Sequence, residues 1–175
     1  MALWGSPVSG PPSEGGHACF APGDAVEDEI LRILRRRYDR VSIERLICGP
    51  GLLNMHRALA EIDGRETHID DPSEITREAL EDFNSHCGHT LARFCAILGA
   101  VAGDIALTMG ARGGVYVAGG IAPKIIDFLK ASPFRERFER KGRFADYMRA
   151  IPTNVVMHEH AALLGAARVA FAEAG

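Results

Sequence analysis

The 175-residue sequence has no Cys-x-x-Cys pair, no GxxxxGK[ST] phosphate loop and no excess of positive charge. Each absence excludes a class of function. Cys19, Cys48, Cys87 and Cys95 lie far apart, with no histidine at metal-ligand spacing, so they read as free buried thiols and not as a zinc site. The first residues carry no basic stretch followed by an apolar one, the pattern of an export signal, which leads to the expectation of a cytoplasmic protein. A net charge of −3 argues against broad electrostatic binding to nucleic acid or to an anionic membrane. The apolar runs read as too short to cross a bilayer. With 47% apolar and 25% charged residues, the composition is that of a globular domain with a core of its own.

Residues 1–12, "MALWGSPVSGPP", show no periodicity and read as an irregular leader to a domain over 13–175. Asp24 and Glu27 stand at capping-box spacing ahead of Ile30, Leu31, Leu34 and Tyr38, which predicts a helix near 25–38. Arg35, Arg36, Arg37 and Arg40 at its end could suggest a nucleic-acid patch, but beside Glu27, Asp28 and Glu29 in an acidic chain they read as a solvated helix end. "VSIERLICGPGLL" reads as a strand near 42–48, a break at Gly49-Pro50-Gly51, and a helix with Leu52, Met55, Leu59 and Ile62 on one face. Helices near 73–84 and 86–110 follow. Then "GGVYVAGG" gives a strand near 114–118, Ile121 to Ala131 a helix, and "SPFRERFERKGRF" a short helix with Phe134 and Phe138 on one face. Those phenylalanines fit core anchoring better than contact with a membrane surface. The chain closes with a strand near 153–157 and a helix of small residues able to pack closely on a sheet. Strands joined through helices imply parallel pairing and a layered α/β fold.

Two stretches carry chemistry. In "SEGGHACFAP", Glu14 and His17 flank Gly15-Gly16. A carboxylate and an imidazole on so pliant a backbone suit a polyhydroxy ligand, and they equally suit an exposed polar turn. Gly119-Gly120 lies between a strand and a helix, where backbone without side chains admits a flat or anionic ligand or allows tight helix–sheet packing.

Four segments together, "SEGGHACFAP", "VSIERLICGPGLLNMHRAL", "GGVYVAGGIAPKIIDFLKASPFRERFERKGRF" and "HEHAALLGAA", resemble the carboxyl-terminal domain of bacterial glucokinase. The resemblance runs from about Ser13 to the end. It implies a single actin-like (ribonuclease H-like) ATPase domain, a mixed sheet flanked by helices on both faces. It also implies transfer of the ATP γ-phosphate to the 6-hydroxyl of glucose with Mg²⁺. Glu14, His17 and Glu44 match the family's glucose contacts. Gly113, Gly114, Tyr116, Gly119 and Gly120 match its GGxYxxGG adenosine segment. The expected partners are glucose, ATP and a second copy of the chain, for which the 86–110 helix offers a face. Nucleic acid and membrane are not expected partners.

The family's phosphate hairpins and its catalytic Asn-Asp pair have no match. The Gly-Gly pairs at 15–16, 113–114 and 119–120 are followed by His17, Val115 and Ile121, never by threonine. Asn54, Asn84 and Asn154 precede Met55, Ser85 and Val155, never aspartate. The expectation is a truncated glucokinase domain without its catalytic Asp, inactive alone, whose sheet lacks its first strands and exposes an unpaired edge. The alternative is a non-catalytic sugar- or nucleotide-binding module. A ROK-type protein, the related sugar repressor/kinase group, fits less well, because the CxCGxxGC zinc cluster of that group has no match.

Overall fold

Asp24 starts the first helix as its spacing to Glu27 predicts: its carboxylate accepts from the Glu27 amide at 2.9 Å, and the Glu27 carboxylate accepts from the Gly23 amide at 2.7 Å. A computed structural model describes residues 13–173, so the 1–12 leader lies outside the described residues. From Asp24 the chain forms α1 (Ala25–Leu34), α2 (Gly49–Ile62), α3 (Pro72–Glu81) and α4 (His86–Met109). It continues through β1 (Val115–Val117), α5 (Ile126–Ala131), α6 (Phe134–Glu139), α7 (Ala145–Arg149), β2 (Thr153–Val155) and α8 (Ala161–Glu173). Short 3₁₀ turns occupy Gly15–His17, Ile43–Arg45, Ala122–Ile125 and Gly142–Phe144.

The centre of the core is α4, packed against α2, α3 and α6. By length and mean hydropathy of 1.6 it could cross a bilayer, which corrects the reading that every apolar run is too short. Its Leu91, Phe94, Cys95 and Ile97 are instead buried against protein. A Cβ at Gly99 would sit 2.1 Å from the Phe134 carbonyl oxygen, so α6 approaches α4 at a distance only glycine permits. Phe134 and Phe138 are core anchors, as their spacing implied.

The strands near 114–118 and 153–157 are present as β1 and β2, paired in parallel with Val115 opposite Thr153 and Val117 opposite Val155. The strand near 42–48 is not. Val41 and Leu46 are both buried, and residues an odd number apart cannot share one face of a strand. The chain therefore turns at Ile43–Arg45, leaving a single antiparallel bridge between Cys19 and Ser42. Gly49 and Pro50 do not form a separate break either: they are the first turn of α2, where a proline's missing N–H costs nothing. Among the described residues the sheet is thus two-stranded and parallel, smaller than the mixed sheet expected. Its outward positions, Tyr116 and Asn154, are exposed, and Leu163, Leu164 and Phe171 of α8 lie on the surface, so that helix does not bury an apolar face on the sheet as its composition suggested.

Cys87 and Cys95 are buried, and burial pushes both thiols up to about 12. Cys19 is exposed and Cys48 partly so, against the expectation of four buried thiols: Cys19 sits in the antiparallel bridge to Ser42, and Cys48 lies at the start of α2 beside the candidate site described below.

His56 ties α2 to α4 and to the 64–70 loop. The Thr90 hydroxyl donates to the His86 carbonyl (2.9 Å), so it accepts from His56 Nδ1 at 3.1 Å, and His56 Nε2 accepts from Thr67 at 2.8 Å. That arrangement needs a neutral ring. Burial, with His86 adding to it, lowers the His56 pKa from 6.5 to about 4. A depressed histidine favours folding above its unfolded pKa, so this contribution is lost as pH falls from about 6.5 towards 4. Melting curves of the wild type and of His56→Gln, which offers both a donor and an acceptor, should converge between pH 7 and pH 4.5. A constant gap between them would contradict the assignment.

Candidate active site

The Cys19–Ser42 bridge brings the "SEGGH" and "VSIER" segments together. The Phe20 amide donates to the Val41 carbonyl (3.0 Å) and the Ile43 amide to the Ala18 carbonyl (2.9 Å). His17, in a 3₁₀ turn, and Glu44, in another, then face each other: His17 Nε2 lies 3.0 Å from Glu44 Oε2. Glu14 Oε2 lies 4.0 Å from the same nitrogen. All three are open to solvent, with side chains 89% (Glu14), 57% (His17) and 52% (Glu44) exposed. The Arg40 guanidinium donates to the His17 carbonyl and fixes the first turn from behind. The arginines read as a solvated helix end thus divide: Arg36 pairs with Glu61 at the surface, and Arg40 belongs to the site.

His17 and Glu44 line a cavity of about 350 Å³ together with Tyr38, Arg40, Arg45 and Asn54. Cys48 and Pro50 close it at the start of α2. Sequence reasoning missed Tyr38, Arg40, Arg45 and Asn54. Their local signals are helical phase, for Tyr38 after α1 and Asn54 on α2, and nearness to Glu44 for Arg40 and Arg45.

A second cavity, about 410 Å³, opens on the other side of the same helix start. Gly49 and Leu52 border it from α2, Thr76, Arg77 and Leu80 from α3, and Gly120, Ile121 and Lys124 from the segment after β1. Of the predicted adenosine glycines, only Gly120 reaches this cavity, and a Cβ there would meet no atom within 4 Å. Gly119, with φ 121°, shapes the turn beside it. Gly113 and Gly114 sit at the opposite end of β1, where a Cβ on Gly114 would come 3.1 Å from Pro152. Gly51 fixes the distance of α2 from the Glu44 turn, since a Cβ there would lie 2.5 Å from the Leu46 backbone. The start of one helix, residues 48–50, therefore separates an acid- and imidazole-lined cavity from one with apolar walls and two cations.

The sequence profile of glucokinases matches residues 5–173. The chain belongs to the glucokinase family. It is 56% identical over 155 residues to a glucokinase of Caulobacter sp. (strain K31), covering 89% of this chain and 47% of that relative. With a glucokinase of Hahella chejuensis it shares 53% identity over 167 residues, covering 95% of this chain and 51% of the relative. Among solved structures, a glucokinase from an Antarctic psychrotroph superposes with a TM-score of 0.82 at 36% identity, over 89% of this chain and 48% of that one. A glucokinase from Balamuthia mandrillaris, solved in complex with glucose, superposes with a TM-score of 0.68 at 16% identity over 94% of this chain and 47% of that one, a likeness of fold alone. The chain thus spans about half the length of the glucokinase-family relatives it matches.

Proposed function

We propose that this chain supplies the sugar- and adenosine-binding half of an ATP-dependent glucokinase. The supporting observation is that the two cavities meet across residues 48–50, so that a sugar on one side and a nucleotide on the other would face each other over the start of α2. In this reading Glu14, His17 and Glu44 hold the hydroxyls of glucose. An ionised carboxylate accepts from two hydroxyls at once, and an imidazole can donate or accept, so the trio suits a ring with several neighbouring hydroxyls.

The second cavity suits adenosine. Leu52, Leu80 and Ile121 supply apolar walls, Gly120 admits close approach, and Lys124 supplies positive charge towards phosphates, whereas Arg77 is paired with Glu74, Glu78 and Glu81 along α3. Its lining contains no carboxylate, so Mg²⁺ would meet this chain only through the nucleotide it accompanies. When bound, Mg²⁺ neutralises charge on the phosphates. The sheet would be completed by strands from the remainder of a glucokinase, and the homodimer implied by the family would use the end of α4, where Ile105 and Met109 are exposed.

Calorimetry with glucose tests the sugar assignment. Glu44→Ala should weaken binding tenfold or more, since a charge-assisted hydrogen bond contributes about 1.5–3 kcal/mol. Equal affinity in the wild type and the variant would remove Glu44 from the site.

A further inference from the structure

The turn that carries Glu44 is a single 3₁₀ turn, closed by its own amides (Arg45 to the Ser42 carbonyl at 3.0 Å, Leu46 and Ile47 to the Ile43 carbonyl at 3.0 and 3.1 Å) and by the Cys48 thiol on the Glu44 carbonyl at 2.8 Å. Those bonds set its backbone, and side chains from α2 and from the segment after α1 brace it against the rest of the fold. Asn54, buried on α2, donates from Nδ2 to the Arg45 carbonyl at 3.0 Å and accepts at Oδ1 from the Tyr38 hydroxyl at 3.2 Å. The Arg45 guanidinium lies over the Tyr38 ring, 4.3 Å from its centroid. Main chain at residue 45, its side chain, Tyr38 and Asn54 therefore close a ring on the residue next to Glu44.

We infer that Asn54 is a positioning residue for Glu44, a role that rests on the reading of Glu44 as a sugar ligand. The Arg45 carbonyl can only accept, so the amide must turn its nitrogen to it, leaving the oxygen for Tyr38. Only a side chain with a donor at one end and an acceptor at the other satisfies both partners. Aspartate would set a carboxylate against the carbonyl and release the turn. The same contact fixes the 44–45 backbone to α2, the helix that borders both cavities. Small errors in the placement of a binding group cost affinity, and buried hydrogen-bonded supports of this kind hold such groups in place.

The test uses four proteins: wild type, Asn54→Asp, Glu44→Gln and the double variant. Glucose affinity is measured by calorimetry, the proximity of the His17 ring to the Glu44 side chain by nuclear Overhauser contact without ligand, and folding by thermal melting. Asn54→Asp should bind glucose about tenfold more weakly and lose the His17–Glu44 contact, yet add less than about twofold to the loss already caused by Glu44→Gln. An Asn54→Asp variant that keeps both affinity and contact overturns the inference. So does one whose tenfold loss recurs in full on Glu44→Gln, because Asn54 then acts independently of Glu44. Should the wild type take up no glucose, the sugar reading fails, and the ligand-free contact decides the positioning role alone. Should Asn54→Asp not fold, Tyr38→Phe removes only the hydroxyl and should move the same readouts in the same direction by less.

Discussion

Replacing Glu27 by alanine is expected to destabilise the fold by about 3–5 kcal/mol, the cost typical of removing one partner from a buried ion pair. Glu27 is fully buried on α1. Its carboxylate accepts from Arg137 Nη1 at 2.7 Å and Nη2 at 2.9 Å, from Arg93 at 3.1 Å, and from the Gly23 amide at 2.7 Å. Arg137, on α6, is almost as buried, and Arg93 belongs to α4, so one carboxylate joins three helices. Without it, Arg137 keeps, among the described residues, a single carboxylate partner, Asp24, at 3.5 Å. Burial works to raise the Asp24 carboxyl, but the Glu27 amide and the Arg93 guanidinium outweigh it and hold it below its usual value. Asp24 therefore remains a partner near neutral pH, but it reaches Arg137 through a single long contact.

Urea unfolding of Glu27→Ala reads the loss directly. A change under about 1 kcal/mol would mean that the pair contributes no more than a surface salt bridge. The double variant Glu27→Met, Arg137→Met separates charge from shape. Replacing a buried pair by apolar groups of similar volume is often neutral or better. Most of the stability should therefore return, less what the Gly23 amide loses with its acceptor.

Glu27 also marks where sequence reading stops. Its spacing from Asp24 identified a helix cap, and the cap is there, but a capping glutamate and a buried counter-ion for Arg137 look the same locally. The partner lies 110 residues away, and no periodicity connects them. Helices such as α4 and α6 were legible because their apolar positions recur along one face, and each such face found the core. The 41–46 segment misled because β-formers there satisfy a turn whose two buried side chains, Val41 and Leu46, serve the core from unlike positions. In the candidate site, resemblance supplied Glu14, His17 and Glu44, and the fold brings them together. Tyr38, Arg45 and Asn54 act through one another, so their relation exists only after α1, the turn and α2 are assembled.

The purified chain is expected to phosphorylate glucose below about 1 s⁻¹, the lower end of the usual enzyme range. Phosphoryl transfer depends on aligning two substrates and on stabilising charge at the phosphates. In the proposed reading the two cavities would provide for the first requirement, with Lys124 as a cation on the nucleotide side. They do not provide a base for the sugar's 6-hydroxyl. None of Asn54, Asn84 and Asn154 precedes an aspartate, and in the proposed site Glu14 and Glu44 are committed to other hydroxyls. A missing general base alone costs about 10²–10⁴ in rate. No Gly-Gly-Thr hairpin stands in the sequence to wrap the phosphates, which adds to that loss. An opposing domain that closed over bound sugar would also exclude water, and among the described residues the His17 and Glu44 side chains stay more than half open to solvent. Adding a co-expressed amino-terminal segment from a glucokinase about 56% identical, such as that of Caulobacter sp. (strain K31), should raise turnover by at least about 10². A coupled assay for sugar phosphate, run with and without that segment, reads both values. Turnover at or above about 1 s⁻¹ by the chain alone would mean that a group within residues 1–175 already serves as the base.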